Sequence, residues 1–467
     1  MNKEKNKLTP GLPGGFEDKW NKKLSLKKKL IEIIENNFLK FGYTELQSSS
    51  FEINENIGSF LADDDSNPMS DVFSFDDNGR LITLRYDFSS PLARFFAQEN
   101  QNLPLPYKRY QIGNVWRNEK PGNGRYREFT QADCDIIGNI NPAQGNSELC
   151  ELIGSTLILC GLKKDQFKIK VSNRKIVQGL IDELKITNEK QKFKIMRAID
   201  KLEKPGFGLK GVEDLLKEKR IDSSGAVTIG ANLSDAQASE IINFLKIKDL
   251  KELKSNLKNP LSQEGIKELE DLLEIVSYGD YKNLINVDLS KIRGLNYYKG
   301  FIVETDLTFK VKNAKGKEIN IGSICSGGSY PDIIKRFKGV DSPGTGISIG
   351  VDRLLFVMMQ LDQVEVYEQK PVLVCVMEKS FLPKYYEILK TLRDNNINSE
   401  IFLDSSKNLG KQLTFANKKS CPVAVICGEN EFKEDKVTLK NLLAAKGENN
   451  QITISKDNLV NEIKKFI

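Results

Sequence analysis

The residues best suited to chemistry lie in one stretch, Tyr110 to Gly138, which has the pattern of two strands joined by the turn Pro121-Gly-Asn-Gly124. Alternate side chains of a strand share a face. In the second strand that face runs from cationic through aromatic to acidic: Arg125, Arg127, Phe129, Gln131, Asp133 and Asp135. A ligand with a polyanionic tail, a flat ring and a cationic head would fit this order. The alternative is a solvated hairpin whose charges pair across the strands.

Three shorter stretches could bring further groups to a ligand. Arg293-Gly-Leu-Asn-Tyr-Tyr298 sets a cation beside two phenols, although a buried tyrosine pair with a surface arginine is the alternative. Cys325-Ser-Gly-Gly-Ser-Tyr330 allows a ligand to approach the backbone closely, although a Gly-Gly pair is usually just a turn. The stretch from Gly344 to Leu355 reads as a strand entering a helix. Its glycines leave room for a flat ring on which Arg353 could stack, unless they only allow tight helix packing.

The composition excludes several kinds of chemistry. The chain has no histidine, which rules out Ser-His-Asp and Cys-His catalysis and every His-ligated metal site. It has no Walker-type phosphate loop and no dinucleotide fingerprint in a βαβ unit, so bound ATP would be held by arginines on an antiparallel sheet. A net charge of +6 means that nucleic acid must be bound by local basic patches. Without Cys-x-x-Cys pairs, a secretory signal or a membrane span, we expect a cytoplasmic protein with reduced thiols.

The elements that must position these residues are helices and strands around one long insertion. Apolar spacing predicts a helix from Trp20 to Phe41, and Ser90-Pro91 predicts a helix start with Ser90 as its cap. From about Asn173 to Tyr278 the chain is helical, rich in lysine and glutamate, and nearly free of aromatic residues, so we read it as an insertion. Beyond a polar linker, strands and helices alternate, which predicts an α/β unit with a mostly parallel sheet. The predicted domains are 1–172 and 279–361 for the discontinuous first domain, 173–278 for the insertion, and 371–467 for the C-terminal unit.

The motifs together resemble those of class II aminoacyl-tRNA synthetases. Val115 to Phe129 is similar to their motif 2, and Gly346 to Leu354 is similar to their motif 3. Within that class, Arg293 to Tyr298 and Gly327 to Tyr330 resemble the two histidine-specific motifs of the histidyl-tRNA synthetases, and Leu84 to Arg94 matches a further segment of that family. The resemblance covers nearly the whole chain, including the insertion and the C-terminal unit.

The resemblance implies a fold and a reaction. The fold would be an α+β catalytic domain with a mainly antiparallel sheet, a helical insertion and a C-terminal α/β anticodon-binding domain. The reaction would be the ATP-dependent attachment of L-histidine to tRNA(His) through a histidyl-adenylate. ATP would enter with Mg²⁺ as a substrate complex, with no tightly bound cofactor and no protein metal site. The partners would be the tRNA, histidine, ATP and a second copy of the chain, with no membrane.

The resemblance also implies a role for each site residue. Arg117 and Arg293 would be catalytic, holding the α-phosphate and the substrate carboxylate. The ATP-binding set would be Arg117, Glu119, Arg125, Phe129 and Arg353, with adenine between Phe129 and Arg353. The histidine-binding set would be Asp87, Ser89, Arg117, Gln131, Asp135, Arg293, Tyr297 and Tyr298. Asp87 and Gln131 would take the ammonium group, and Asp135 and Tyr298 the imidazole, which offers one donor and one acceptor when neutral.

The sequence departs from the family pattern at Ser49, where motif 1 usually has proline, at Ser329, where an arginine is lost, and at Asn296, which replaces a frequent aspartate. Two other functions remain open. One is a catalytically silent paralogue, such as the regulatory subunit of the first enzyme of histidine biosynthesis. Such paralogues lack the C-terminal domain and lose the motif arginines, whereas this chain keeps both. The other is a class II synthetase for another amino acid, against which the Arg-Gly-Leu-x-Tyr-Tyr motif argues.

Overall fold

The computed structural model describes residues 9–467 apart from 58–71, 123, 205, 222–224, 226, 248, 293–297, 314, 338–341, 362–369, 405 and 445–449. The helices are α1 (Asn21–Lys40), α2 (Asn54–Ile57), α3 (Ser89–Glu99), α4 (Pro142–Leu159), α5 (Arg174–Glu183), α6 (Glu189–Ile199), α7 (Gly208–Leu216), α8 (Asp235–Lys246), α9 (Leu250–Asn256), α10 (Pro260–Val276), α11 (Val351–Leu361), α12 (Leu382–Asp394), α13 (Leu409–Lys418), α14 (Glu429–Lys433) and α15 (Leu459–Ile463).

The strands are β1 (Thr44–Glu45), β2 (Phe51–Ile53), β3 (Ser74–Asp77), β4 (Arg80–Leu84), β5 (Tyr107–Trp116), β6 (Glu128–Ile137), β7 (Phe167–Asn173), β8 (Lys219–Ile221), β9 (Val227–Ile229), β10 (Ile285–Val287), β11 (Phe301–Leu307), β12 (Val311–Lys312), β13 (Glu318–Ile319), β14 (Cys325–Ser329), β15 (Gly344–Gly350), β16 (Val372–Val374), β17 (Ser399–Ile401), β18 (Val423–Ile426), β19 (Lys436–Asn441) and β20 (Gln451–Ser455). The chain divides into two compact units, Met1–Val366 and Tyr367–Ile467.

The first unit is organised around an eight-stranded sheet with the order β1-β5-β6-β15-β14-β11-β7-β10. Its strands pair antiparallel except at the two ends, where β1 runs parallel to β5 and β10 runs parallel to β7. The mainly antiparallel sheet predicted from the sequence is therefore confirmed. The order also shows that strands from before and after the helical segment share one sheet, since β14 and β15 lie between β6 and β7.

One face of this sheet is apolar and covered by helices. The even-numbered residues Ala132, Cys134 and Ile136 of β6 are buried in the main apolar core, which includes the inner faces of α1, α4 and α11. Helix α1 begins after Trp20 and ends before Phe41, as its apolar spacing predicts, and it packs against α4 and α11. The opposite face of the sheet, with the odd-numbered residues of β6, is left for polar side chains.

The segment 173–278 is helical, as predicted, with α5 to α10 and the small ribbon β8–β9. Its first and last helices pack against each other, and a Cβ on Gly265 of α10 would lie 2.9 Å from Ile176 of α5. This close approach explains why a glycine interrupts an otherwise apolar helix face. Helix α10 also packs on α4 and β7, so the end of the segment is tied to the sheet.

The second unit contains a five-stranded sheet with the order β17-β16-β18-β19-β20. The first three strands are parallel, whereas β19 and β20 are antiparallel, so the sheet is mixed and less parallel than predicted. The strands β19 and β20 are consecutive in the chain and pair antiparallel, as the two arms of a hairpin do. Cys375 and Tyr385 belong to apolar clusters confined to this unit. Within the described part of the chain, no helix combines the length and apolar character that a bilayer span requires.

Candidate active site

The polar face of the large sheet is formed by three neighbouring strands, β5, β6 and β15. Across the β5–β6 pair, Arg109 lies opposite Asp135. On the other side of β6, Gly346 lies opposite Asp135 and Ser348 lies opposite Asp133. The predicted alternation therefore holds along β6, and one face collects the odd-numbered side chains Phe129, Gln131, Asp133 and Asp135.

Asp135 is a buried acceptor that is fixed from two sides. The Arg109 guanidinium nitrogen Nη2 lies 2.7 Å from Asp135 Oδ2, and both side chains are buried. The Tyr330 hydroxyl donates a hydrogen bond to Asp135 Oδ1. Burial raises the pKa of Asp135, while the charge of Arg109 and the hydrogen bond from Tyr330 act in the opposite direction. The carboxylate that was predicted to contact the imidazole is thus held in a defined orientation by these two side chains.

Two glycines of β15 make room for this arrangement. A Cβ on Gly346 would lie 2.0 Å from Asp135 Oδ1, and a Cβ on Gly344 would lie 2.3 Å from the Tyr330 ring. The sequence suggested that these glycines clear space for the flat ring of a ligand. In the structure they clear space for side chains of the pocket itself, which the sequence pattern alone could not distinguish.

Asp87 enters the same pocket from the start of α3. Its Oδ1 accepts a hydrogen bond of 3.1 Å from the backbone amide of Ser90. Helix α3 begins at Ser89, two residues before Pro91, which was predicted as its first residue, and the capping acceptor is Asp87 and not Ser90. Burial raises the pKa of Asp87, and the Ser90 amide and the nearby Arg117 and Arg336 charges lower it. The helix N-terminus favours the charged form of this carboxylate, but burial opposes it and prevails.

Asp87, Asp133 and Asp135 together form a buried acidic cluster. Burial, and next the charge of Asp135, raise the pKa of Asp133 to about 7, and Asp87 adds to the effect. Arg109 is the cation that offsets this charge from within β5. Several buried polar atoms of the cluster have no hydrogen-bond partner among the described residues: Asp87 Oδ2, Gln131 Oε1, Asp133 Oδ1, and Arg109 Nε and Nη1. Buried oxygens without donors, in a site with excess negative charge, are suited to a cationic ligand group.

A second group of predicted residues is gathered around Tyr86. The guanidinium of Arg117 lies 4.3 Å from the Tyr86 ring centroid and 5.2 Å from that of Phe129. Its Nε also donates to the Tyr86 carbonyl oxygen at 3.2 Å. The Tyr86 hydroxyl donates to Glu119 Oε1 at 3.2 Å. Tyr86, which the sequence analysis did not single out, therefore contacts Arg117 and Glu119, and Arg117 contacts Phe129. All three of these residues were predicted to contact ATP.

Arg125 and Arg127 lie before the start of β6. Pairing between β5 and β6 ends at Trp116 and Glu128, and the Arg127 amide instead donates to the Gly15 carbonyl at 2.8 Å. Arg125 forms an isolated bridge with Gly122, and 59% of its side chain is exposed. Its guanidinium lies 3.5 Å from the Glu119 carboxylate. The predicted alternation is thus confirmed along β6, whereas Arg125 and Arg127 precede the strand and both contact Glu119.

The remaining described site residues lie on the same sheet or beside it. Arg353 is in the first turn of α11, and its Nη1 donates to the Ser323 carbonyl. The Gln131 amide donates to Ser348 Oγ at 2.8 Å. Tyr298 is buried and packs on Gly328, where a Cβ would lie 3.0 Å from the ring. Ser89 is the first residue of α3.

Arg293 and Tyr297 lie outside the described residues, as does Asn296, so their roles remain predictions from the sequence. The two serines that depart from the family pattern are described. The Ser49 carbonyl accepts a hydrogen bond of 3.2 Å from Arg85, and the Ser329 hydroxyl donates to Thr345 at 3.3 Å. Both serines therefore have local structural partners.

The sequence reasoning missed Arg109, and it assigned no role to Asp133. The signal for both was present, since Arg109 and Asp133 occupy odd positions on strands whose odd positions face the site. It also missed the hydrogen bond that Tyr330 donates to Asp135, because neither close backbone approach nor the resemblance of Gly327 to Tyr330 to a family motif indicates the partner of the Tyr330 hydroxyl. Cross-strand charge pairing was held as the alternative to a ligand site. The structure shows such a pair, Arg109 with Asp135, on the face that was predicted to bind the ligand.

Comparison with known proteins decides the family. The sequence model of the histidyl-tRNA synthetase family matches residues 15–354, and that of the anticodon binding domain matches residues 371–466. The chain is 74% identical to the histidine–tRNA ligase of Pelagibacter ubique (strain HTCC1062), over the full length of both chains. This chain belongs to the histidyl-tRNA synthetase family.

Other histidyl-tRNA synthetases are more distant but match over most of their length. The chain is 37% identical to the histidine–tRNA ligase of Ruegeria pomeroyi, covering 92% of this chain and 89% of the relative. The crystal structure of histidyl-tRNA synthetase from Nostoc sp. PCC 7120 matches with a TM-score of 0.74 at 26% identity, covering 99% of this chain and 100% of that one. The resemblance and the fold class inferred from the motifs are therefore confirmed. The silent-paralogue alternative is not favoured, because the match to the anticodon-binding domain covers the unit that such paralogues lack.

Proposed function

We propose that this chain attaches L-histidine to its cognate tRNA in two steps. The histidine carboxylate attacks the α-phosphorus of ATP, which forms histidyl-adenylate and releases pyrophosphate. A hydroxyl of the 3′-terminal ribose of the tRNA then attacks the adenylate carbonyl, which forms the ester and releases AMP. Because an α-carboxyl group titrates near pH ~3.5, the first nucleophile is already ionised and needs no general base. A chain without histidine can therefore carry out the first step by positioning anions and stabilising charge.

The observation that carries this proposal is the acidic cluster with unpartnered oxygens beside Arg117. The ammonium group of an amino acid would offset the excess negative charge and donate to Asp87 Oδ2 and Gln131 Oε1, which have no hydrogen-bond partner among the described residues. Arg117 acts electrostatically on Asp87. A cation that could bind the carboxylate of the amino acid therefore lies next to an anion that could bind its ammonium group. An amino acid bound between them has its carboxylate directed to the arginine.

The amino-acid specificity is proposed to come from Asp135 with Tyr298. Asp135 is a fixed acceptor on the polar face, and a carboxylate complements the N–H of an imidazole ring. The phenol of Tyr298 offers a donor to the other ring nitrogen. Tyr298 acts electrostatically on Tyr330, whose hydroxyl contacts Asp135, which supports their assignment to one pocket. Ser89, and by resemblance Arg293 and Tyr297, complete the proposed histidine site.

ATP is proposed to bind along the Arg117 side of the face. Arg117 holds the α-phosphate, Arg125 reaches the γ-phosphate, and Phe129 and Arg353 enclose the adenine, which Glu119 orients. The exposure of Arg125 suits a group that meets the outermost phosphate. The phosphates bring Mg²⁺ with them as part of the substrate, since Mg²⁺ commonly binds through phosphate oxygens and keeps several of its waters. By resemblance, Arg293 is the second catalytic arginine and stabilises charge on the α-phosphate.

The proposed division of labour follows the predicted domains. Residues 1–172 and 279–361 carry out catalysis, 173–278 form the insertion domain, and 371–467 bind the anticodon of the tRNA. We also propose a homodimer working in the cytoplasm. Exposed apolar side chains next to motif 1 support self-association: Phe51 and Phe75 are 50% and 48% exposed and contact each other edge to face. All seven cysteines are buried free thiols, as expected in a reducing compartment.

The test is ATP–pyrophosphate exchange with each of the twenty amino acids. Histidine alone should support exchange, at a rate within the usual range of enzyme turnover, about 1–10³ per second. Charging of total tRNA with labelled histidine should follow. Exchange with a different amino acid would refute the specificity, and no exchange with any amino acid would refute the activity.

A further inference from the structure

Arg109 is a buried arginine to which the proposed activation of histidine assigns no role. It lies on β5 and is fully buried, with 0% of its surface exposed. Burying a guanidinium is expensive unless it is paired and hydrogen-bonded. Its Nη2 donates to the Phe88 carbonyl at 3.3 Å, but its Nε and Nη1 have no hydrogen-bond partner among the described residues. Two of the three guanidinium nitrogens of Arg109 therefore have no hydrogen-bond partner among the described residues, and a contribution to stability alone does not explain why an arginine is buried here.

Its main partner is the carboxylate that would read the imidazole. Arg109 lies opposite Asp135 in register, and its Nη2 is 2.7 Å from Asp135 Oδ2. The other oxygen of Asp135 is held by the hydroxyl of Tyr330, which is also fully buried. Gly346 allows this arrangement, since any side chain there would displace the carboxylate. The carboxylate is therefore fixed by one charged and one neutral donor.

The charge of the pair decides which form of imidazole the pocket accepts. An isolated buried carboxylate would favour imidazolium, because the two charges would neutralise each other. When the carboxylate is paired with a guanidinium, the pair has no net charge. The carboxylate can then accept a hydrogen bond from a neutral ring. We propose that Arg109 is a positioning residue that keeps Asp135 ionised and oriented, so that the pocket selects the uncharged form of the histidine side chain. This inference rests on the proposed function of Asp135.

Several titratable groups surround the pair, and Tyr107 on β5 acts on Arg109 itself. Tyr330 and Tyr298 approach from the β14 side, Asp87 from the start of α3, and Asp133 from β6 itself. None of these groups is a cation. Burial raises the pKa of Asp87, and the charges of Arg117 and Arg336 lower it. Arg109 is the cation that acts on Asp135 among the described residues, so its removal leaves the pocket acidic.

The test is the pH dependence of histidine affinity. L-Histidine is titrated calorimetrically into the full-length protein at pH 6.5, 7.5 and 8.5, for wild type and Arg109→Met. The variant should bind histidine more weakly, and its binding reaction should take up one proton more than binding to the wild type, because the uncompensated carboxylate binds the ring as imidazolium. The ratio of variant to wild-type Kd should therefore rise with pH, by up to about tenfold per pH unit. A ratio that stays constant across the three pH values would overturn the inference, since loss of packing has no reason to follow pH.

Three further variants make the result specific. Arg174→Met removes another buried guanidinium from the first unit, outside the pocket, and its Kd ratio should not vary with pH. Arg109→Lys retains the charge and should also give a constant ratio with a smaller loss of affinity. If Arg109→Met does not fold, Arg109→Gln keeps a donor without the charge and should show the same rise with pH.

Failure of the inference can be separated from failure of the proposed function with Asp135→Ala. Wild-type affinity for histidine in Asp135→Ala would refute the role of Asp135, and the role of Arg109 with it. Weakened binding in Asp135→Ala combined with a constant ratio for Arg109→Met would refute only the role of Arg109.

Discussion

Asp133 gives a prediction whose size can be worked out from the structure. Its side chain is buried on the polar face, and burial followed by the charge of Asp135 raises its pKa from the ordinary 3.8 to about 7. An unfolded chain loses this proton near pH 4, whereas the folded chain holds it until about pH 7. The contribution of Asp133 to stability is therefore complete below pH 4 and is lost as the pH rises to 7 and beyond.

The magnitude follows from the difference between the two pKa values. About three pH units at roughly 1.4 kcal/mol each give a loss of up to about 4 kcal/mol between pH 4 and pH 8. Asp133→Asn removes the titration. At pH 8 we expect the variant to be more stable than wild type by roughly 2–4 kcal/mol, with the difference vanishing near pH 4. Replacing a carboxylate that is paired at the surface would instead lower the stability at pH 8 or leave it unchanged.

The assay is urea unfolding at pH 5, 6, 7 and 8, followed by tryptophan fluorescence. Both tryptophans, Trp20 and Trp116, are in the first unit, so the signal reports the unit that contains Asp133. Asp165→Asn, at an exposed carboxylate, is the matched control and should leave the curve unchanged. A difference between Asp133→Asn and wild type that does not grow from pH 5 to pH 8 would refute the reasoning about the cluster.

Two further predictions concern the pocket and the domains. Gly346→Ala places a methyl group where Asp135 Oδ1 lies, so the histidine KM in pyrophosphate exchange should rise by roughly tenfold or more with little change in the ATP KM. Gly350→Ala on the same strand meets nothing closer than 3.5 Å and should keep the wild-type histidine KM; equal effects of the two variants would contradict the account. A chain ending at Leu361 keeps the apolar core of the first unit and should retain pyrophosphate exchange while losing most aminoacylation of tRNA. Loss of exchange from a folded truncated protein would contradict this division.

The sequence predicted the fold where its pattern was periodic. The helix from Trp20 to Phe41, the hairpin and the helical segment 173–278 all follow from apolar spacing and turn residues, and the structure has each of them. The sheet was predicted to be mainly antiparallel by resemblance, since spacing alone does not reveal that β15 pairs with β6. The direction of β19 and β20 was missed because a strand pattern does not encode the orientation of its neighbours.

The site was predictable in its residues and less so in their partners. The alternation along β6 correctly identified the face that holds Gln131 and Asp135. It could not show that Arg109 neutralises Asp135, because that contact depends on the strand register and on space left by Gly346. It also could not show that β6 begins only at Glu128, because the amide of Arg127 pairs with Gly15, more than a hundred residues away from it in the chain.

The central claim is that the polar face of the sheet activates histidine, and Arg117 tests it most directly. Arg117→Ala removes the guanidinium that lies over Tyr86 and Phe129, and the charge that acts on Asp87. Arg220→Ala is the matched control, since Arg220 also lies over an aromatic ring, 3.8 Å from the centroid of Phe207, but belongs to the helical insertion.

The measurement is the single-turnover rate of histidyl-adenylate formation at saturating histidine and ATP. Loss of one preorganised donor at the α-phosphate should lower this rate by about 10²–10³-fold in Arg117→Ala, while Arg220→Ala stays at the wild-type rate. A folded Arg117→Ala protein that forms the adenylate at the wild-type rate would contradict the account.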